Sequence, residues 1–295
     1  MSTDLAAKLK NLQAQKKFFI GIDSDGCVFD TMEIKQKECF IPNIIKHFEL
    51  QSVSKFVREA AEFVNLYSKY RGVNRFPALV QTFDFVRERP EVKRRGVKVP
   101  ALNVLRKWID EESKLGNPAL EAKVAETNDP ELKQVLDWSL AVNAAITDMV
   151  YGVGPFAFVQ DTLDKARPEA DLIVVSQTPC EALEREWKEH KLDSYVHVIC
   201  GQEYGKKSEH LEYAAGGKYD KDKILMIGDA PGDRKAAIAN DALFFPINPG
   251  AEEKSWQNLL EEGLERFFNG TYEGEYQKKL IDEFEAMLPD TPPWQ

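Results

Sequence analysis

An α/β fold is predicted for this 295-residue chain by two observations. Short, continuously apolar runs of strand length (Phe18-Phe19-Ile20-Gly21-Ile22, then residues 172–175, 196–200, 224–227 and 243–247) alternate in the second half with helix-period segments such as 180–190 and 231–240. Strands that read apolar throughout belong to parallel sheets covered by helices on both faces. The second observation is the long stretch 31–152 between the first run and the next. It holds no convincing strand, only helix-length periodic segments at 33–48, 55–70, 77–88, 101–115 and 130–150. A helical domain inserted after the first strand of a parallel sheet accounts for both.

Each part follows in order. Leu5, Leu9 and Leu12 stand at helical spacing, so a short N-terminal helix precedes the first strand. The first seventeen residues are polar and lysine-rich with no apolar core, so no secretory signal is expected. Within the insert the junctions carry breakers: Arg71-Gly72, Gly116-Asn117-Pro118 and Asn128-Asp129-Pro130. Gly152-Val153-Gly154-Pro155 serves as the exit hinge. The last strand run ends at the turn Asn248-Pro249-Gly250, and Trp256, Leu259, Leu260, Leu264 and Phe267 then form an apolar helical stripe suited to packing. The expected division is 1–30 with 153–250 as the sheet domain, 31–152 as the insert, and 251–295 as a helical extension packed on the sheet domain.

Composition narrows the function. Hydrophobic residues make up 43% and charged residues 30%, a globular balance, and the net charge of −10 argues against a nucleic-acid binder held by bulk charge. The insert holds 19 basic and 17 acidic residues, so the acidity lies in the remainder. Within it, residues 87–98 carry six basic side chains against Glu88 and Glu91, which read as a solvated loop or as attraction for an anionic substrate. No apolar run approaches the ~20 residues of a membrane span, and no membrane partner is expected. Cys27, Cys39, Cys180 and Cys200 form no CxxC pair and are too sparse for a disulfide scaffold, so a reduced, cytoplasmic protein is expected. The four histidines do not cluster at zinc-ligand spacing. No heptad or interface stripe points to an oligomeric state.

The chemistry gathers at strand ends. Ile22-Asp23-Ser24-Asp25-Gly26-Cys27 puts two carboxylates just beyond the first strand, where ligands of open parallel sheets bind. Met226-Ile227-Gly228-Asp229-Ala230-Pro231-Gly232-Asp233 puts another after a later strand, with Asp233 in the first turn of the next helix. Residues 173–178 end a third strand on Ser176, and Gly205-Lys206-Lys207-Ser208 sets cations at a helix start, where the dipole disfavours them. Gly201 to Ser208 is a near miss of a P-loop: the glycines are four apart and a second lysine displaces the serine. Two carboxylate pairs, a hydroxyl and an ammonium suit phosphoryl transfer through an aspartyl-phosphate, with Mg²⁺ and a fixed lysine neutralising the phosphate.

In these motifs the chain resembles the haloacid dehalogenase superfamily, specifically its phosphoglycolate phosphatase and β-phosphoglucomutase-like branch. The resemblance rests on Asp23-Ser24-Asp25-Gly26-Cys27-Val28 extended through Phe29-Asp30-Thr31, on Ser176, on Lys207 (with Lys206 as the alternative), and on Gly228, Asp229 and Asp233. It implies a Rossmann-like core with a helical cap and a set of roles. Asp23 is then the nucleophile and a metal ligand, while Asp25 is the acid/base and offers its backbone carbonyl to the metal. Ser176 and Lys207 hold the phosphoryl group, helped by backbone amides near Gly26 and Gln177. Asp229 binds Mg²⁺, and Asp233 either binds it or orients its waters.

The acid at Asp25 favours phosphate ester hydrolysis over the dehalogenase and phosphonatase chemistries of the same superfamily. A large cap implies a small-molecule phosphorylated substrate enclosed away from water. The polar break at residues 69–76 supplies Arg71, Asn74 and Arg75 as candidate ligands for the leaving group, the guanidiniums suiting carboxylate or phosphate. Surface salt bridges are the competing reading for the two arginines. Two other functions stand beside the phosphatase: a phosphomutase using the same motifs, and a catalytically inactive adaptor.

Overall fold

Strand β1 (Phe18–Ile22) is apolar at all five positions and buried at all five. Four further strands join it: β2 (Ala170–Val175), β3 (Val198–Cys200), β4 (Ile224–Gly228) and β5 (Leu243–Pro246). The computed structural model, which describes residues 2–295, arranges them as one sheet in the order β3-β2-β1-β4-β5. Every pairing is parallel, with Ile22 opposite Val174 on one side and Ile227 on the other.

Side chains alternate along the strands, so each face has its own core. Phe18, Ile20, Ile22, Leu172, Val174, Leu225 and Ile227 pack on one face with Trp187, Trp256, Leu264 and Phe267 from covering helices. Phe19, Ile173, Val175, Ile224 and Met226 pack on the other with Leu9, Leu211, Ala237 and Phe284. The first face is covered by helices Val159–Ala166, Cys180–Glu189 and the run 252–268; the second by Ser2–Lys10, Lys207–Ala215, Pro231–Ala239 and Glu275–Met287. This is the α/β sheet the apolar runs predict.

The chain divides into two compact units: Met1–Thr31 with Gly152–Leu288, and Met32–Tyr151 with Pro289–Gln295. The second unit has its own core, in which Phe76, Phe83, Trp108 and Trp138 are fully or almost fully buried. Among its described residues every regular element is a helix. One expectation needs correction. The extension 251–295 does not pack wholly on the sheet domain, because its last seven residues belong with the insert. Trp294 is the cause: its ring lies edge-on to Phe63 and Phe85, with the Arg89 guanidinium 3.7 Å from its centroid.

Two helices of the insert escape the periodicity. Asn117–Thr127 carries only one buried residue, Leu120, too few to show an apolar stripe, and its Pro118 starts the helix rather than breaking the chain. Pro90–Arg94 lies inside the basic segment expected as loop, held by the buried Val92. No helix among the described residues is long and apolar enough to cross a membrane.

Candidate active site

In the order β3-β2-β1-β4-β5 the chain runs outward from β1 on one side and returns to β4 on the other. The gap between β1 and β4, outside their C-terminal ends, is the switch point where open α/β sheets bind ligands. Asp23 N donates to Ile227 O at 3.0 Å, carrying the pairing one residue beyond β1. Asp23 and Asp229 therefore leave adjacent strands side by side.

Asp233 reaches the same place from the first turn of Pro231–Ala239, its Oδ2 accepting from Ala230 N at 3.0 Å. The approach is so close that a Cβ on Gly228 would lie 2.4 Å from the Cβ and Cγ of Asp233. Only glycine fits there, which explains the Gly-Asp pair at the end of β4. Oxygens of Asp23, Asp229 and Asp233 all lie within 4.8 Å of one another, and all three residues are buried.

Lys207, the first residue of helix Lys207–Ala215, joins them. Its Nζ lies 2.7 Å from Asp23 Oδ2 and 2.6 Å from Asp233 Oδ1. Lys206 is exposed, and its backbone N–H is capped by Glu209 at 2.7 Å, so Lys207 is the lysine at the cluster. Burial opposes the charge of Lys207, but Asp23 and Asp233 outweigh it and hold the ammonium well above its ordinary range. Burial raises Asp23 to about 6 against the pull of Lys207, with Asp229 adding repulsion. Asp233 is likewise raised to about 6 by burial, with Asp23 adding repulsion. Asp23 and Asp233 thus share one ammonium, with the buried Asp229 beside them. Three carboxylates gathered this closely, all hard oxygen donors, fit a divalent cation such as Mg²⁺.

Asp25 stands half-buried two residues on. Thr31 Oγ1 donates to its Oδ1 at 2.5 Å and Thr178 Oγ1 to its Oδ2 at 2.6 Å. The intervening Ser24 accepts from Trp187 Nε1 at 3.0 Å and donates to Glu186 at 3.3 Å, anchoring the loop to helix Cys180–Glu189.

Ser176 is buried at the end of β2, beside β1, and its Oγ accepts from Thr178 N at 3.2 Å. Of the backbone amides expected to help hold a phosphate, Gly26 N donates to Phe29 O at 2.8 Å inside the loop. The Gln177 side chain, as distinct from its backbone amide, donates from Nε2 to Gly205 O at 2.8 Å and Ser176 O at 3.2 Å.

In the insert, Asn74 is spent as a helix cap: its Oδ1 accepts from Phe76 N at 3.0 Å and its Nδ2 donates to Leu115 O at 3.1 Å. Arg71 is buried and donates to Leu66 O at 2.9 Å. Arg75 donates from Nη1 to Ser139 Oγ at 2.9 Å and Asn143 Oδ1 at 2.7 Å, and lies 5.1 Å over the Phe40 ring. Burial lowers Arg75 to about 10, still charged at neutral pH.

His210 is buried beside Tyr204, and burial pushes its imidazole down to about 4. Among the described residues, no histidine or cysteine joins the carboxylate cluster. Thr178, Trp187 and Glu186 were not legible as site residues; Thr178 had only its place two residues after Ser176 to mark it.

No protein-family model matches the chain, and no curated protein matches it. Solved structures of similar architecture include a haloacid dehalogenase-like hydrolase from Streptococcus pneumoniae, 13% identical, which covers 81% of this chain and 90% of its own at a TM-score of 0.44. A HAD-superfamily hydrolase of subfamily IA from Geobacter sulfurreducens is 14% identical, covers 80% and 90%, and has a TM-score of 0.41. A predicted phosphoglycolate phosphatase from Haemophilus somnus is 13% identical, covers 84% and 99%, and has a TM-score of 0.47. Likenesses this distant carry no substrate with them.

Proposed function

We propose that this protein is a phosphatase that hydrolyses a small phosphomonoester through an aspartyl-phosphate on Asp23. The observation that carries the reading is the clustering of Asp23, Asp229 and Asp233, two of them paired with the Lys207 ammonium, with Asp25 two residues from Asp23. An isolated structural ion pair would not call for two further buried carboxylates, each costly to desolvate.

In this reading Asp23 attacks phosphorus while the ester P–O bond breaks. Asp25 gives its proton to the departing oxygen, then takes one from the water that cleaves the aspartyl-phosphate. Lys207 offsets the phosphoryl charge, and Ser176 donates to a phosphoryl oxygen. Asp23, Asp229 and Asp233 would hold Mg²⁺, with the Asp25 carbonyl, and the ion would supply charge neutralisation at the transferring phosphoryl group. Arg71 and Arg75 are the side chains of the insert suited to an anionic leaving group.

Phosphate release from a panel of small phosphomonoesters with Mg²⁺ tests this. Release is expected from wild type, with loss of at least about a thousandfold in Asp23→Asn and in EDTA. No release from any ester, with turnover appearing only for a sugar phosphate primed by its bisphosphate, would replace the phosphatase with a mutase.

A further inference from the structure

The two hydroxyls on Asp25 come from different parts of the chain. Thr31 lies six residues downstream, at the start of helix Thr31–Ile34, whereas Thr178 arrives from the loop after β2. That second loop is held in place from three directions. Thr178 N donates to Ser176 Oγ at 3.2 Å, and Gln202 N donates to Thr178 O at 3.1 Å. Gly201 lets the loop close, since a Cβ there would sit 2.4 Å from Thr178 O. The Thr178 hydroxyl is therefore a fixed point, delivered to Asp25 by β2 and β3 rather than by the loop that carries Asp25.

Holding both oxygens fixes the plane of the carboxyl group. Each hydroxyl donates to one oxygen of Asp25 and leaves that oxygen a second lone pair, so the carboxyl is oriented without being neutralised.

We propose that Thr178 is a positioning residue for Asp25, fixing the plane in which its carboxyl faces the leaving oxygen. The inference rests on the phosphatase reading above. It also gives the loop after Ser176 a second role beyond phosphate binding.

The test compares esters that do and do not need a proton on the departing oxygen. Wild type, Thr178→Val, Thr178→Ala and Thr178→Ser are assayed with Mg²⁺ on glycerol phosphate, an alkyl ester, and on p-nitrophenyl phosphate, whose phenolate leaves unaided. The ratio kcat/KM covers only the steps up to cleavage of the ester bond, so it isolates the proton donated by Asp25. In Thr178→Val, kcat/KM for the alkyl ester should fall about tenfold or more, while that for the aryl ester stays within about twofold. Thr178→Ala should repeat the pattern, and Thr178→Ser should restore the alkyl ester. Equal loss on both esters, or no loss on either, overturns the positioning role and leaves the phosphatase standing. If wild type cleaves neither ester nor any other on the panel, the phosphatase reading fails and this inference falls with it.

Discussion

Lys207 pairs with two buried carboxylates, Asp23 and Asp233, and their burial should govern how the protein answers pH. Burial lifts Asp23 and Asp233 from 3.8 to about 6, so between these values the folded chain keeps protons that the unfolded chain has released. Metal-free stability from these groups is therefore full below about pH 4 and lost as pH rises through 6. A cation bound to the ionised carboxylates gains over the same window. The Tm difference between Mg²⁺ and EDTA samples should be small at about pH 4.5, grow through pH 6 and level off by about pH 7. Paired thermal melts across that range check it, and a difference independent of pH would remove the cation from these residues. In Asp229→Asn the Mg²⁺ shift should largely disappear, while the EDTA sample at neutral pH melts higher than wild type because Asp23 loses a repelling neighbour.

Two short helices deliver the charges, and each bends a local preference to do so. Lys207 at the first position of Lys207–Ala215 opposes the helix dipole, a cost of about 0.3–1 kcal/mol at a surface. Two ion pairs of 2.7 and 2.6 Å outweigh it. Asp233 sits well with the dipole of Pro231–Ala239, but only because β4 ends on a residue without a side chain. Gly228→Ala would force its methyl into the Asp233 carboxylate. The expected cost is about 1–3 kcal/mol, read from urea unfolding, with a weakened Mg²⁺-induced Tm shift. A variant as stable as wild type would mean that Asp233 is free to move aside. The insert's first helical run shows a different local effect. Residues 33–48 read as one regular helix, yet a π-helical turn at Lys35–Phe40 separates Thr31–Ile34 from Ile41–His47. One residue more per turn shifts the period without breaking it, so the pattern conceals the bulge.

At the scale of the whole molecule the chain passes between its two units three times: at Thr31–Met32, Tyr151–Gly152 and Leu288–Pro289. The third passage ends in a docked tail. Lys69 pairs with Asp290, Gln295 Nε2 donates to Glu88 at 2.6 Å, and Trp294 packs on Phe63, Phe85 and Arg89. Arg89 in turn pairs with Glu59, and its burial makes the stacked ring a large part of its surroundings. Trp294→Ala should destabilise the insert unit by about 2 kcal/mol. Far-UV circular dichroism during urea unfolding of the full chain would show it as an earlier transition. Unchanged unfolding would make the tail a passenger on the insert rather than part of its core.

The sequence by itself determined the sheet, the placement of the long helical insert and four candidate carboxylates, Asp23, Asp25, Asp229 and Asp233. Apolar runs such as 18–22 and 224–227 are recorded locally, and an aspartate beyond such a run lies at a strand end wherever the strand later pairs. The lysine was legible too, since Lys206 and Lys207 were both marked by an unfavourable helix position. Lys207 was already preferred on the resemblance, and tertiary structure sets its Nζ against Asp23 and Asp233. Tertiary structure alone brought Thr178 to Asp25 across 153 positions, committed Asn74 to a helix cap, and returned Trp294 to the insert. Periodicity and turn chemistry act over a few residues. Which hydroxyl meets which carboxylate depends on strand order and loop closure, and neither is written in any one segment.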